Sequence, residues 1–184
     1  MAIEWYNPTG VKSRPYKCGY CGNLVASSVG YFANDGRHFI CLCPHCHEPT
    51  YFDGDKQIPG VSFGEEVAHL PQDVHAIYRE ARNCAAASCY TAAVLTLRKL
   101  LMNIAVAQGA AAGEPFVAYV EFLAAKGFVP PNGRAWVDHI RKKGNEATHE
   151  IVLMSKADAE ELISFAEMLL KFIYEFPNRV PKTP

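Results

Sequence analysis

The sequence has no long apolar run, no surplus of either charge and no apolar leader, and each absence removes a class of protein. None of its hydrophobic stretches approaches the roughly 20 residues that cross a bilayer. Lys and Arg number 18 against 19 Asp and Glu, for a formal net charge of −1. A protein that held nucleic acid through its overall field would show a clear basic excess. The balance holds along the chain, with five cations against five carboxylates over residues 1–64 and thirteen against fourteen over 65–184. Contact with a polyanion therefore has to come from a local cluster, and two are present: Lys12, Arg14 and Lys17, then Arg141, Lys142 and Lys143. The opening ten residues contain Glu4, Asn7 and Pro8 in place of an apolar signal core, which points to a reducing cytoplasm where disulfides are rare.

Cysteine is not scarce, and its spacing is the chain's clearest chemical signal. Cys18-Gly-Tyr-Cys21-Gly and Cys43-Pro-His-Cys46 are two C-x2-C pairs, each able to present two thiolates to one ion. Four such ligands suit tetrahedral Zn²⁺ and leave no position for water, so the expected role is structural. Gly19 and Gly22 suit tight turns around sulfur. Cys41, His45 and His47 stand close enough in sequence to replace one of the four. Cys84 and Cys89, among small apolar residues, read as inert core thiols.

The periodicity changes near residue 65. Before it, Asn34-Asp35-Gly36 between residues 29–33 and 38–42 reads as a β-hairpin, and a third short strand is expected at about 50–52. So small a sheet buries too little to fold without metal, and residues 1–64 are read as a zinc ribbon. After it, Val74, Ile77, Tyr78, Ala81 and Ala85 form one helical stripe, and Tyr90, Val94, Leu97, Leu101 and Ile104 another that ends before Gly109. A third helix is expected over 115–126 and a fourth over about 134–143. The last opens on the capping-box pattern Ser155-Lys-Ala-Asp158 and carries Leu162, Phe165, Leu169, Phe172 and Phe176 until Pro177 stops it. The expected fold class is α+β, a small β ribbon followed by a five-helix antiparallel bundle over 65–177, with 178–184 as a loose tail. Phe165, Phe172, Ile173 and Phe176 offer more apolar surface than one stripe needs, which predicts an isologous homodimer.

One stretch of the helical half is polar. If a helix runs through it, steps of about 100° bring Arg141, Asn145 and His149 onto one face, where a bidentate cation, an amide and an imidazole can hold a phosphate. Arg141-Lys-Lys-Gly144 also reads as an ordinary helix C-terminus, with Asn145 capping a new helix and His149 bonding a carbonyl.

The order Cys84, Tyr90-x-Ala-Ala93, Arg98-x-x-Leu101, Ile140-Arg141-x-x-Gly-Asn145-x-x-x-His149-Glu150 and Tyr174-Glu-Phe-Pro177 resembles a prokaryotic family of unknown function that also occurs attached to restriction-enzyme subunits and is grouped with the HEPN superfamily. The similarity covers residues 70–177. It implies a helical bundle that dimerises and, in active members, cuts RNA without metal through an arginine followed by a histidine after four to six residues. Arg141 and His149 are separated by seven. The expected function is therefore a cytoplasmic, nucleic-acid-associated binding or adaptor module in defence or stress response, with RNA, a nucleotide or a nucleic-acid-processing protein as partner and no membrane. A metal-independent ribonuclease using Arg141, Asn145 and His149, or a purely structural dimer, is the alternative.

Overall fold

Turn chemistry builds the first half of the chain. The computed structural model describes residues 4–130, 133, 136–140 and 153–179. Five antiparallel strands, β1 (Thr9–Lys17), β2 (Leu24–Phe32), β3 (His38–Leu42), β4 (Pro49–Asp53) and β5 (Lys56–Ile58), lie in sequential order in one sheet. The β2–β3 turn forms where Asn34-Asp35-Gly36 predicts it: Gly36 takes φ +66°, and Asp35 accepts the backbone N–H groups of Arg37 and His38 at 3.0 and 3.1 Å. Those two bonds, His38's first, hold the Asp35 carboxyl down at about 2. Two strands escaped the periodicity. β1 contains Gly10 and Pro15 and is broken by a bulge, because Gly10 pairs with Val29 while Arg14 pairs with Ser27, so β1 carries two surplus residues. β5 is three residues long and too short for any period to show.

The sheet has an inner side, where Tyr16, Cys41 and Phe52 are buried. Phe52 stacks on Phe39 with centroids 5.0 Å apart and meets Tyr16 edge-on at 5.2 Å. The sheet curls over this core until its two ends meet through side chains: Arg14 Nη1 donates to the Gly54 carbonyl at 3.0 Å and Gln57 Nε2 to the Lys17 carbonyl at 2.8 Å.

The helices are α1 (Gln72–Ala86), α2 (Tyr90–Ala107), α3 (Phe116–Ala125), a helical stretch at 136–140, α4 (Lys156–Leu170) and α5 (Phe176–Arg179), the last two joined by a π-helical turn over Lys171–Glu175. α2 packs against both α3 and α4 and buries Val94, Leu97, Leu101 and Ile104, as its stripe predicts. It is long and apolar enough to cross a membrane by length and composition, yet these residues face the bundle core. Helix ends follow their residues. α2 and α3 close in Schellman geometry, with Gly109 at φ +101° and Gly127 at φ +83°, and Ala110 and Phe128 N–H reach back to the Ala105 and Leu123 carbonyls. Ser155 and Asp158 form the reciprocal capping box at the start of α4.

Two expectations need correction. Pro177 does not stop the last helix. It sits inside α5, directly after the π turn, whose wider i→i+5 spacing relieves the clash between a proline ring and the carbonyl four residues back. That turn also shifts the helical phase: Phe165 and Leu169 are buried, whereas Phe172 and Phe176 are 41% and 40% exposed. Cys89 is exposed and occupies the N-cap position of α2, because Ser88 takes φ +64° and breaks the helix between the two cysteines; only Cys84 leans on the core.

The chain divides into two compact units, Met1–Ser62 with Ala86–Ser88, and Phe63–Ala85 with Cys89–Pro184. Residues 63–68 belong to the second because polar side chains of the bundle bind their backbone. Buried Arg82 donates to the Phe63 and Gly64 carbonyls, both at 2.9 Å, and pairs with Glu66. Glu167 and Glu175 accept the N–H groups of Glu65 and Ala68 at 2.9 and 3.0 Å. Lys171 bridges Glu65 and Glu167, and both pairings, Glu167's first, raise its pKa. Replacing Arg82 by Met strands these carbonyls and Glu66, so Arg82→Met is expected to destabilise the bundle by about 2–4 kcal/mol in denaturant titration. The exposed pair Lys156–Glu160 is expected to contribute under about 0.5 kcal/mol by the same measurement.

Candidate metal centre

Both knuckles are built on one backbone plan. In the first, Cys18 N–H donates to the Asn23 carbonyl at 2.9 Å and Gly22 N–H to the Cys18 carbonyl at 2.9 Å. In the second, Cys43 N–H donates to Glu48 at 3.0 Å and His47 N–H to Cys43 at 2.9 Å. The residue after each closing cysteine must turn left-handed: Gly22 has φ +71° and His47 has φ +62°. Glycine makes that turn freely, and histidine makes it at some strain. Gly19 answers a different need, since a Cβ there would stand 2.6 Å from the Pro59 carbonyl oxygen.

The knuckles converge. All four ligand atoms of Cys18, Cys21, Cys43 and Cys46 lie within 4.8 Å of one another, with Cys18 and Cys46 sulfurs 3.7 Å apart and Cys21 and Cys43 sulfurs 3.8 Å apart. Four sulfurs around one tetrahedral ion with bonds of about 2.3 Å stand about 3.8 Å apart, so the cage is already at the spacing a metal ion requires. Cys18 and Cys43 are buried, and Cys21 and Cys46 are half-buried. Burial pushes the Cys18 and Cys46 thiols up, Cys46 to about 12. Burial also opposes ionisation of Cys21, but the Asn23 N–H, the neighbouring thiols and the Asn23 side-chain amide outweigh it and hold Cys21 at about 6. A bound metal ion is what would let all four ionise together.

The alternative ligands fall elsewhere. Cys41 is buried on β3, paired between Gly30 and Thr50, and its thiol is raised by burial. His45 and His47 contribute no nitrogen to the cluster, and the His47 carbonyl accepts Trp5 Nε1 at 2.7 Å. Arg141, Asn145 and His149 lie outside the described residues. His139, which they would adjoin, pairs with Glu161 at 2.9 Å. Arg98 stacks over Phe116 at 4.6 Å, burial lowers its pKa, and its Nη1 is buried with no hydrogen-bond partner among the described residues. A void of about 20 Å³ adjoins it, lined by Asp158 and Glu161 among others. Its position among the apolar residues of α2 marked it in sequence only through the resemblance.

A family model described as a domain of unknown function, DUF4145, matches residues 79–183. No curated protein and no solved structure matches the chain.

Acid and chelator should empty the cage, because protons compete for the thiolates and each bound ion displaces them. We expect one metal ion per chain at neutral pH by native mass spectrometry, falling as the pH is lowered, and none in Cys18→Ser or Cys46→Ser. Cys41→Ala and His45→Ala should retain full occupancy.

Proposed function

The chain belongs to the DUF4145 family, and we propose that it is a cytoplasmic, nucleic-acid-associated binding or adaptor module acting in prokaryotic defence or stress response. In this reading the ion is Zn²⁺, the N-terminal unit is a zinc ribbon, and the bundle is HEPN-like. The observation that carries it is the closed donor set. Four thiolates satisfy a soft tetrahedral ion with no position left for water or substrate, so the metal's work is to hold a surface rather than to react at one. The surface of that unit shows Tyr20, Leu24 and Phe32 to solvent, large apolar groups of the kind that mark binding sites.

The bundle's contribution is self-association. Phe172 and Phe176 meet edge-on at 5.3 Å, and with Phe63 they line an open groove of about 320 Å³ whose rim carries Glu167 and Lys171. A second copy presenting the same residues across a two-fold axis covers this groove with like chemistry and pairs carboxylate with amine. Arg141, Asn145 and His149 are the bundle's candidate phosphate contacts.

Elemental analysis should return zinc, with an optical spectrum lacking the bands of iron. Light scattering should give a dimer near twice 20.3 kDa, and Phe172→Glu with Phe176→Glu should give a folded monomer. Electrophoretic shift with single-stranded RNA should show binding, weakened by Arg141→Ala at an unchanged thermal midpoint, and the RNA should remain whole. Rapid metal-independent cleavage that disappears in His149→Ala would make the chain a ribonuclease instead.

A further inference from the structure

At the end of the sheet remote from the cysteine cage, the curled strands leave a cleft of about 590 Å³. The strand directions place it there. β1 and β3 run toward Cys18 and Cys43, and the cleft is lined by the opposite ends: Gly10–Arg14 of β1, Phe32 with 36–39 around the β2–β3 turn, and Gly54-Asp55 of the β4–β5 turn.

Its lining differs from the chain's overall neutrality. Lys12, Arg14 and Arg37 line it with His38, and its one lining carboxylate, Asp55, stands 3.8 Å from Arg14. Asp35 and Asp53 pair with His38, and Asp53 also pairs with Arg37, whose Nε stands 2.5 Å from it. The β1 bulge lifts Lys12 and Ser13 off the β2 ladder, and Lys12 makes no ion pair among the described residues. Arg14 is fixed as part of the floor, its guanidinium 4.4 Å over Phe52 and 5.4 Å over Phe39 while it donates to Gly54. Phe32, which shares this lining, is 63% exposed. Gly10 and Gly36 have open space where a Cβ would stand, so backbone can approach a ligand there.

An exposed aromatic ring beside fixed cations, without any hydrogen-bonding pocket shaped for one base, matches what an unpaired nucleotide strand needs: a face to stack on and charge along its phosphates. We propose that this cleft binds single-stranded nucleic acid, with a base on Phe32 and phosphates on Lys12 and Arg37. The inference rests on the binding-module reading and gives that reading a location in the ribbon. It adds strand contacts at Lys12 and Arg37 to the candidate phosphate contacts Arg141, Asn145 and His149.

The test uses the full, metal-loaded chain and fluorescence anisotropy of a labelled 12-nucleotide oligouridylate, with duplex DNA and poly-glutamate as comparison polyanions. Phe32→Ala should weaken oligouridylate binding about tenfold, as loss of one stacked base predicts. Lys12→Ala should reduce the slope of log K against log salt by about 0.7, as loss of one single-strand phosphate contact predicts. Lys17→Ala, on the same strand but outside the cleft, should change neither, and all three should melt like the parent. Parent-like affinity in a Phe32→Ala/Lys12→Ala/Arg37→Ala protein would overturn the cleft and leave the binding-module reading standing. Equal affinity for poly-glutamate, or for duplex with no effect of Phe32→Ala, would overturn the single-strand assignment. Failure to bind any nucleic acid at low salt would overturn both.

Discussion

Four sulfurs held within 4.8 Å of one another are stable as thiols or around a cation, and unstable as bare thiolates. Much of the N-terminal unit is arranged around that constraint. β1 and β3 lead into the first cysteine of each knuckle, β2 and β4 follow the last, and the paired N–H···O bonds of Cys18 and Cys43 close the knuckles at the same end of the sheet. Among the described residues, the apolar cluster beneath the sheet has only Tyr16, Phe52 and buried cysteines at its centre. A core that small does not offset the entropy of ordering some fifty residues, and ligation of an ion supplies the kind of energy that does. The cleft between Phe32, Lys12 and Arg37 lies at the other end of the sheet, where Arg14 reaches the Gly54 carbonyl.

The helical unit obeys a different constraint. Its core is apolar and large enough to hold itself, so the polar contacts serve to place chain rather than to drive folding. Arg82, Glu167, Glu175 and Lys171 bind the backbone of 63–68, an irregular segment whose carbonyls and N–H groups need partners once buried. The π turn that follows α4 completes the same arrangement, because it carries the buried carboxylate of Glu175 to the Ala68 N–H while turning Phe172 outward.

Much of this was legible in the residues. Schellman glycines, the Ser155 box, the Asn34-Asp35-Gly36 turn and the C-x2-C pairs each act through local geometry, so local sequence determined the element ends and brought out Cys18, Cys21, Cys43 and Cys46 as one set. The same locality explains the errors. A bulged β1 has no regular alternation, Pro177 stops a helix only where the turn before it is α, and Cys89 looked like core because its neighbours are small.

What tertiary structure alone decided are the relations between distant residues. Cys41 competes with Cys43 on spacing, and the structure separates them because β3 ends at Leu42: Cys41 stays in the ladder between Gly30 and Thr50, while Cys43 opens the knuckle and joins the cage. Arg82 reads as a surface cation until the carbonyls of Phe63 and Gly64 fold onto it. Lys12, Phe32 and Arg37 share a cleft because the sheet curls and Arg14 reaches Gly54, forty residues away. Periodicity reports which side of its own element a residue takes, and closure of the sheet settles what that side faces.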